Sequence, residues 1–250
     1  MPSIEPPWRK ELRELSEGTP ERRRELQESL RRISAQILKE TAEADKAAEP
    51  SVRAMAKEGW TIPLWGPMGF TEVIIEKVKL HDLDEFFVRS YRANGYRILR
   101  QMLNRMKKNP ALQQWWPLLQ QCHIVFRQHQ YLVVVPALLI VLEGVLLFHP
   151  GSTKRGARPT SVSKRRLAQT SWIWTNTWIS IDTFFERVFQ PRQFDGDRPT
   201  MINRHWILHG RDETTWGEAD CIRLFQAIDT LSFAINEASQ PPRGATKPTA

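Results

Sequence analysis

Three side chains suited to proton transfer and anion binding lie close together near the C-terminal end of the chain. The segment 202–210 reads INRHWILHG and contains Arg204, His205 and His209. Histidine, with an ordinary pKa of about 6.5, takes or gives a proton at neutral pH. Arginine stays charged and binds two phosphate oxygens through its planar guanidinium. These residue types indicate acid/base chemistry beside a bound phosphate.

The spacing of these three residues determines how they meet. Residues four apart share one face of a helix, so we expect His205 and His209 to stack. Arg204 and His209 are five apart, which separates them by roughly 140° on an ideal helix. They converge if the helix is irregular or begins inside the segment.

Two other interpretations of the segment stay open. His205 and His209 have the spacing of helix-borne zinc ligands, although Trp206 stands where zinc hydrolases of this type carry a glutamate. The candidates for a third zinc ligand are Asp212, Glu143 and Cys221. Alternatively the Arg-His patch is structural, and it pairs with Glu143 and Asp212 to hold two helices together.

An unusually apolar segment precedes this cluster. Residues 131–148 read YLVVVPALLIVLEGVLLF, and Pro136, Glu143 and Gly144 interrupt the apolar run. A membrane span needs about 20 apolar residues and tolerates a central carboxylate poorly, so we expect a buried helix and no membrane contact. Glu143 then needs a partner or a raised pKa, because a buried unpaired carboxylate is costly.

A basic segment follows the apolar helix. Residues 151–166, GSTKRGARPTSVSKRR, hold six Lys or Arg and no acid, and their Gly, Ser, Thr and Pro content predicts an exposed loop. An all-basic loop also suits contact with a phosphate backbone. The candidate RNA-binding residues are Lys154, Arg155, Arg158, Lys164, Arg165 and Arg166.

Amphipathic helices are predicted on either side of the Arg-His cluster. Apolar residues recur at three- and four-residue steps over 167–190 and again over 219–235, and a polar break, 190–198, follows the first of these helices. Thr215 and Glu218 have the spacing of a capping box, which predicts the start of the last helix. The composition of residues 239–250 predicts a disordered tail.

The N-terminal half also has helical patterns. Thr19 and Pro20 predict a helix start, and Pro50 predicts its end. Its narrow apolar seam consists of Leu26, Leu30, Ile33 and Ile37. Such a helix either lies on its own domain or serves as a dimerising arm. Residues 51–80 predict a structured loop, and 82–109 and 112–126 predict further helices.

Composition restricts the class of protein. The 250 residues suffice for a large core. The 36 Lys and Arg against 28 Asp and Glu give a net charge of +8, which favours a polyanionic partner. Two cysteines, Cys122 and Cys221, are too few for a disulfide framework and predict a reducing cytoplasm. The first residues do not predict a secretory signal. Since no convincing strand pattern occurs, the predicted fold class is all-α.

The segment 203–210, NRHWILHG, resembles a known motif. Arg204, four intervening residues and His209 match the R-x(4–6)-H signature of the HEPN superfamily, in the form found in HEPN-like proteins of bacterial defence and toxin systems. The resemblance extends from about Tyr131 to Glu237. It implies a small helical bundle that is usually dimeric, and it implies nothing about residues 1–130.

The resemblance also implies a function. Many HEPN domains are endoribonucleases that need no metal or other cofactor and leave a 2′,3′-cyclic phosphate, and others are inert. It implies His209 as the acid/base residue, Arg204 as the phosphate clamp and His205 as a residue that supports or shares proton transfer. Glu143 matches the acid that HEPN proteins often carry on an early helix. The implied partners are RNA, a second copy of the chain, and an antitoxin or other protein.

We therefore expect four regions. They are an amphipathic helical arm (1–50), a helical region of unknown role (51–130), a HEPN-like helical domain (131–238) and the tail (239–250). The leading function is that of an endoribonuclease. The alternatives are a non-catalytic helical binding protein and a zinc-dependent hydrolase that uses His205 and His209.

Overall fold

The computed structural model describes residues 19–66, 73–74, 76–77, 81–147, 158–168 and 175–238, and throughout these residues the fold is all-α, as predicted. The main helices are α1 (Pro20–Lys57), α2 (Leu83–Met106), a 3₁₀ helix (Pro110–Trp115), α3 (Trp116–Arg127), α4 (Tyr131–Leu147), α5 (Pro159–Ala168), α6 (Thr175–Val188), α7 (Arg204–Leu208) and α8 (Glu218–Ala238). The chain divides into two compact units, residues 1–47 and 48–250. The predicted tail lies outside the described part.

Helix α1 begins where the sequence predicts but ends later. Thr19 Oγ1 accepts a hydrogen bond at 3.3 Å from the backbone N–H three residues on, so Thr19 caps the helix. The predicted end at Pro50 is wrong, as is the predicted loop directly after it, because the helix continues to Lys57. Met55 and Ala56 are fully buried in this last part, and their burial offsets the hydrogen bond that Pro50 cannot donate.

The part of α1 in the first unit is held by local interactions. Leu30 and Ile33 of the predicted seam are exposed, and the side chains of Leu26 and Ile37 lie outside the described part. Exposed ion pairs one turn apart flank the seam: Arg22 with Glu25, Arg32 with Glu28, and Lys39 with Glu43. Such pairs contribute little each, so this helix needs further apolar contacts to be stable.

Helix α2 breaks in its middle. Residues 93–96 leave helical geometry, and three of them have φ angles from 52° to 64°. This conformation is costly for Tyr96, whose hydroxyl donates a compensating hydrogen bond to Glu218 at 2.7 Å. The break also shifts the helical register. After the break Ile98 is only half-buried, whereas Leu99 is fully buried.

The predicted apolar helix is the centre of the hydrophobic core. Helix α4 contacts α3, α5, α7 and α8, and α8 packs along its length. The fully or almost fully buried α4 side chains are Val134, Val135, Leu138, Leu139, Val141, Leu142, Val145 and Leu146. One core joins residues of α1, α2, α3, α4, α6 and α8. No described helix combines the length and the apolar character needed to cross a bilayer.

The second half of the predicted basic loop is helical. Helix α5 begins at Pro159, which is suited to the first position of a helix. Val162 and Ser163 are buried, and Ser163 Oγ donates to Asp182 of α6 at 2.8 Å. The loop prediction for 159–166 is therefore wrong, because two buried side chains and one buried hydrogen bond outweigh a composition typical of loops.

The start of α8 differs from the predicted capping box. The backbone N–H of Gly217 donates to Asp220 at 2.9 Å, so the carboxylate that caps the helix belongs to Asp220. Thr215 accepts a hydrogen bond from Arg198 at 2.8 Å, and Glu218 is buried against Arg92. The prediction had the correct helix and the wrong capping pair.

Gly144 allows Trp115 to pack directly onto α4. A Cβ built on Gly144 overlaps the Trp115 indole ring. Replacing glycine by alanine inside a helix normally gains about 1 kcal/mol, but here the added carbon overpacks the core. We expect Gly144→Ala to lower the free energy of unfolding by about 2 kcal/mol, measured by urea denaturation.

The matched control is Gly196→Ala, where the nearest atom to the new Cβ is the Gln193 carbonyl oxygen at 3.8 Å. This control should change stability little. Unchanged or increased stability of Gly144→Ala would contradict the close packing of Trp115.

Candidate active site

Helix α7 carries the Arg-His cluster, and Asn203 fixes where it begins. The Asn203 side-chain oxygen accepts the backbone N–H of Trp206 at 3.2 Å. Its amide nitrogen donates to the carbonyl oxygens of Arg187 and Gln190 at 3.2 and 3.0 Å. Asn203 is buried, so these three hydrogen bonds tie α7 firmly to the end of α6.

Gly210 fixes where α7 ends. Its φ of 65° is the left-handed conformation that suits glycine. The N–H of Gly210 donates to the carbonyl of Ile207 at 3.1 Å, and the N–H of Arg211 donates to that of Trp206 at 2.8 Å, which together form a Schellman motif. Because Trp206 and Ile207 are buried, the helix presents its two histidines toward solvent.

The two histidines lie side by side. The ring centroids of His205 and His209 are 4.7 Å apart with a 65° angle between the rings, as the four-residue spacing predicts. Phe194 stacks on His205: the two rings are nearly parallel, with an interplanar angle of 3° and centroids 4.7 Å apart. The pKa of His205 is lowered, first by desolvation and then by the charges of His209 and Arg204. His205 is therefore neutral at pH 7 and able to accept a proton.

Arg204 and Glu143 form the ion pair that links α7 to α4. Nε and Nη2 of Arg204 both lie 3.1 Å from Oε2 of Glu143. The two side chains keep 33% and 26% exposure, so solvent reaches both. A guanidinium has five N–H groups. The Nε–H group donates a hydrogen bond to this oxygen, and the other N–H groups of Arg204 hydrogen-bond to no described residue, so they are available to another anion. Of the two outcomes expected for Glu143, a partner or a raised pKa, the structure shows the partner, and the side chain is only partly buried.

Asp212, the other acid considered for this patch, is occupied elsewhere. It accepts hydrogen bonds at 2.7 Å from Arg198 and from the indole N–H of Trp216. Cys221 is buried and close to the Tyr131 carbonyl. Among the described residues no three His, Cys, Asp or Glu are grouped closely enough to hold a metal ion, so the structure supplies no third ligand beside the two histidines.

Sequence analysis missed three residues next to the histidines. Phe194 and Arg192 belong to the 190–198 segment, which was predicted only as a polar break, and they line a shallow pocket of about 590 Å³ with His205. The Arg211 guanidinium lies 5.2 Å from the centre of the Phe194 ring. Neither arginine forms an ion pair with a carboxylate in the described part of the chain. The sequence signal that could have identified these residues is a lone aromatic residue between arginines in a polar segment.

The predicted RNA-binding residues differ in their exposure and in their contacts. Lys154 and Arg155 lie outside the described residues, and Arg158 and Arg165 are exposed. Lys164 forms an ion pair with Glu186 of α6 at 2.7 Å. Arg166 is half-buried, with its guanidinium 5.8 Å from the centre of the Trp178 ring. Two of the six are thus directed at α6, because this segment forms a packed helix.

A larger cleft, of about 750 Å³, lies near the start of α2 and the loop before α8. Its charged residues largely neutralise one another. Arg223 pairs with Asp84 and Asp220, and Arg198 pairs with Asp212. Six acids and four Lys or Arg line the cleft, so acids remain in excess after these pairs form, and the cleft does not suit a phosphate.

Comparison with known proteins identifies no relative of this chain. No family model matches the chain, and neither the curated proteins nor the solved structures contain a significant match.

The lowered pKa of His205 can be tested directly. Removing the neighbouring imidazole in His209→Ala takes away one of the charges that disfavour protonated His205. We therefore expect the pKa of His205 to rise towards 6.5 in this variant, measured by NMR titration of its ring resonances. His81→Asn, at an exposed and separate histidine, is the control and should leave the titration unchanged. A wild-type value at or above 6.5 would contradict the site geometry.

Proposed function

We propose that this protein is a metal-independent endoribonuclease of the HEPN type that leaves a 2′,3′-cyclic phosphate. By the same resemblance it acts in the cytoplasm within a bacterial defence or toxin system, where an antitoxin or other protein is a further partner. The observation that carries the proposal is the grouping of two adjacent imidazoles and a partly free guanidinium on one short, rigid, solvent-facing helix.

The histidine pair supports a division of labour in proton transfer. Neutral His205 accepts the proton of the ribose 2′-hydroxyl, and the 2′-oxygen attacks phosphorus. The bond from phosphorus to the 5′-oxygen breaks, and protonated His209 donates its proton to that leaving oxygen. The lowered pKa of His205 favours its role as the base, so the rate should rise with pH through a value below 6.5.

The arginines support stabilisation of the phosphorane-like transition state. Arg204 retains N–H groups beyond the hydrogen bond from Nε to Glu143, and Glu143 fixes the guanidinium in place. Arg192 and Arg211 add two positive charges around the Phe194 ring, against one acid, Asp195, in the same pocket. Phe194 is 40% exposed and offers a surface on which an unpaired base stacks.

An exposed apolar face on α4 supports the proposed homodimer. Val133 is 63% exposed and Ile140 is also exposed, and their seven-residue spacing puts both on one side of the helix. Glu143 lies close to this face, one turn beyond Ile140. A second copy that covers the face therefore brings two Arg204 clusters towards each other, so that each site can use residues from both chains.

Cleavage is tested by incubating the purified chain with mixed RNAs in EDTA. We expect cleavage to persist in EDTA and to fall about 10²–10⁴-fold in His209→Ala, the range typical of a lost general acid or base. Arg204→Ala should reduce it similarly through the lost anion contact. The measurement is gel analysis with mass spectrometry of the product ends.

Three controls accompany the cleavage assay. His81→Asn and Arg31→Ala change an exposed histidine and an exposed arginine away from the site, and both should retain activity. RNA with 2′-O-methyl groups should resist cleavage, because the attacking hydroxyl is absent. Cleavage that needs added zinc, or that survives His209→Ala at the wild-type rate, would refute the proposed mechanism.

The homodimer is tested by light scattering and sedimentation. We expect a dimer that dissociates when Ile140→Glu places a charge in the apolar interface, and cleavage should fall in parallel. Gln121→Glu, which adds the same charge at an exposed polar position of α3, should remain dimeric. A wild-type chain that stays monomeric at high concentration would contradict this arrangement.

The Arg204–Glu143 ion pair also favours a second function, a non-catalytic helical binding protein. In that case the arginine joins α4 to α7 and takes no part in chemistry. Glu143→Ala would then lower the melting temperature, and no RNA would be cleaved by wild type or by any variant. The cleavage assay in EDTA separates the two functions.

A further inference from the structure

The region between Glu85 and Glu143 contains no acidic residue. It contains eight Lys or Arg: Arg89, Arg92, Arg97, Arg100, Arg105, Lys107, Lys108 and Arg127. Five of these residues lie on α2 and Arg127 on α3, while Lys107 and Lys108 directly follow α2; all eight lie outside the candidate active site. A long stretch with basic residues alone is notable in a chain that has 28 acids elsewhere.

The rest of the fold neutralises two of the eight. Arg92 binds Glu218 with both Nε and Nη2, the shortest distance being 2.5 Å, and Arg105 binds the buried Asp229 at 2.6 Å. The other six are exposed and form no ion pair with a carboxylate of the described residues. They are Arg89, Arg97, Arg100, Lys107, Lys108 and Arg127.

Arg100 and Arg127 converge from two different helices. Both guanidiniums are close enough to His123 to lower its pKa, after the larger effect of burial. Arg127 lies over the Tyr96 ring, 4.7 Å from its centre. Arg100 donates hydrogen bonds to the carbonyl oxygens of residues 94 and 95 in the break of α2. Both cations are therefore held in defined positions.

Arg97 adds a third cation to this surface. It is exposed one helical turn before Arg100, in the part of α2 that follows the break. The strained geometry of residues 93–96 is what turns this part of the helix. We call Arg97, Arg100 and Arg127 the α2/α3 basic surface.

We infer that the α2/α3 basic surface binds phosphates of the RNA substrate. The bound segment is single-stranded and extends away from the α7 cluster, which consists of Arg204, His205 and His209. This inference rests on the proposed function. Three cations without carboxylate partners repel one another, and a phosphate backbone relieves that repulsion while it receives paired N–H donors. Exposed Phe194 at the α7 cluster favours an unpaired strand, since bases in a duplex are not free to stack on it.

Helix α4 sets the distance between the two sites. Tyr131, its first residue, contacts Phe126, which precedes Arg127 and touches Tyr96. Glu143 lies twelve residues further along α4, so the surface and the α7 cluster are separated by about 18 Å along the helix axis. An RNA of several nucleotides spans this distance, and a dinucleotide does not.

The first experiment measures binding without cleavage. The probe is a 2′-O-methyl RNA of about 12 nucleotides, a typical length for a single-strand site, titrated in EDTA at several salt concentrations. Each lost phosphate contact should reduce the slope of log affinity against log salt by about 0.7. The double variant Arg100→Ala, Arg127→Ala should thus bind about 25-fold more weakly near 0.1 M salt, with the difference vanishing towards 1 M.

Matched variants separate local contacts from net charge. Lys107→Ala with Lys108→Ala also removes two charges, from the end of α2, and should reduce binding far less. Arg100→Lys with Arg127→Lys keeps the charges and should keep the salt slope. Thermal melting establishes that each variant is folded. An equal loss in both alanine pairs, or no loss in either, would overturn the inference.

A second measurement uses substrate length. In the cleavage assay at low substrate concentration, the Arg100→Ala, Arg127→Ala variant should lose kcat/KM on the long RNA and retain it on a dinucleotide. Wild-type binding with no cleavage would reject the nuclease and leave the surface intact, whereas cleavage indifferent to these arginines would reject the surface alone. If polyglutamate bound as tightly as RNA, the surface would belong to an acidic protein partner and the inference would fail.

Discussion

The ion pair between Arg204 and Glu143 is the constraint around which the C-terminal half is organised. Glu143 is the only acid in the most apolar helix of the described chain, and a carboxylate at such a position is stable when a cation and hydrogen bonds accompany it. The cation comes from α7, a helix too short to hold its own position. Asn203 ties α7 to α6, and Gly210 turns the chain away after a little more than one turn. The contact with Glu143 of α4 thus fixes the position of Arg204, and the buried Trp206 and Ile207 fix which side of α7 presents its histidines.

The parts of the fold that sequence predicted well are those where one physical signal dominates. The length of the apolar run of α4 and its Glu143 favour a buried helix over a membrane span. The four-residue spacing of His205 and His209 was sufficient to predict their contact. The intervening Trp206 and Ile207 are buried in the core, which keeps both histidines on the opposite, outer side of the helix. The errors occur where local composition and tertiary packing disagree. Pro50 predicts a helix end, and the basic 159–166 segment predicts a loop. Buried residues make helix more stable in both places: Met55 and Ala56 after Pro50, and Val162 and Ser163 within the basic segment.

In the candidate site, too, the sequence predicts local patterns but not contacts that depend on tertiary packing. Arg204, His205 and His209 share a short segment, and Glu143 stands out against its apolar neighbours, so sequence alone could select all four. Phe194 stacks on His205 across a loop whose path depends on the end of α6, and no local pattern encodes that path. The break in α2 is similar. Gly95 alone suggests a turn, but the left-handed Tyr96 depends on a hydrogen bond to Glu218, more than a hundred residues away in the chain.

The structural and catalytic roles of Arg204 are compatible, because they use different N–H groups. Glu143 accepts a hydrogen bond from Nε and lies within ion-pair distance of Nη2 through the same oxygen, and it leaves the rest of the guanidinium open to an anion. A free arginine side chain loses considerable rotamer entropy when it binds a phosphate. An arginine already held by a carboxylate has lost that entropy on folding, so an incoming anion meets a donor in its final position. The carboxylate also reduces the local positive charge, which weakens attraction to any phosphate at long range. The affinity of such a site for a polyanion therefore depends on cations placed elsewhere, which attract and hold the rest of the polyanion. The arginines of α2 and α3 that lack a carboxylate partner are cations of this kind.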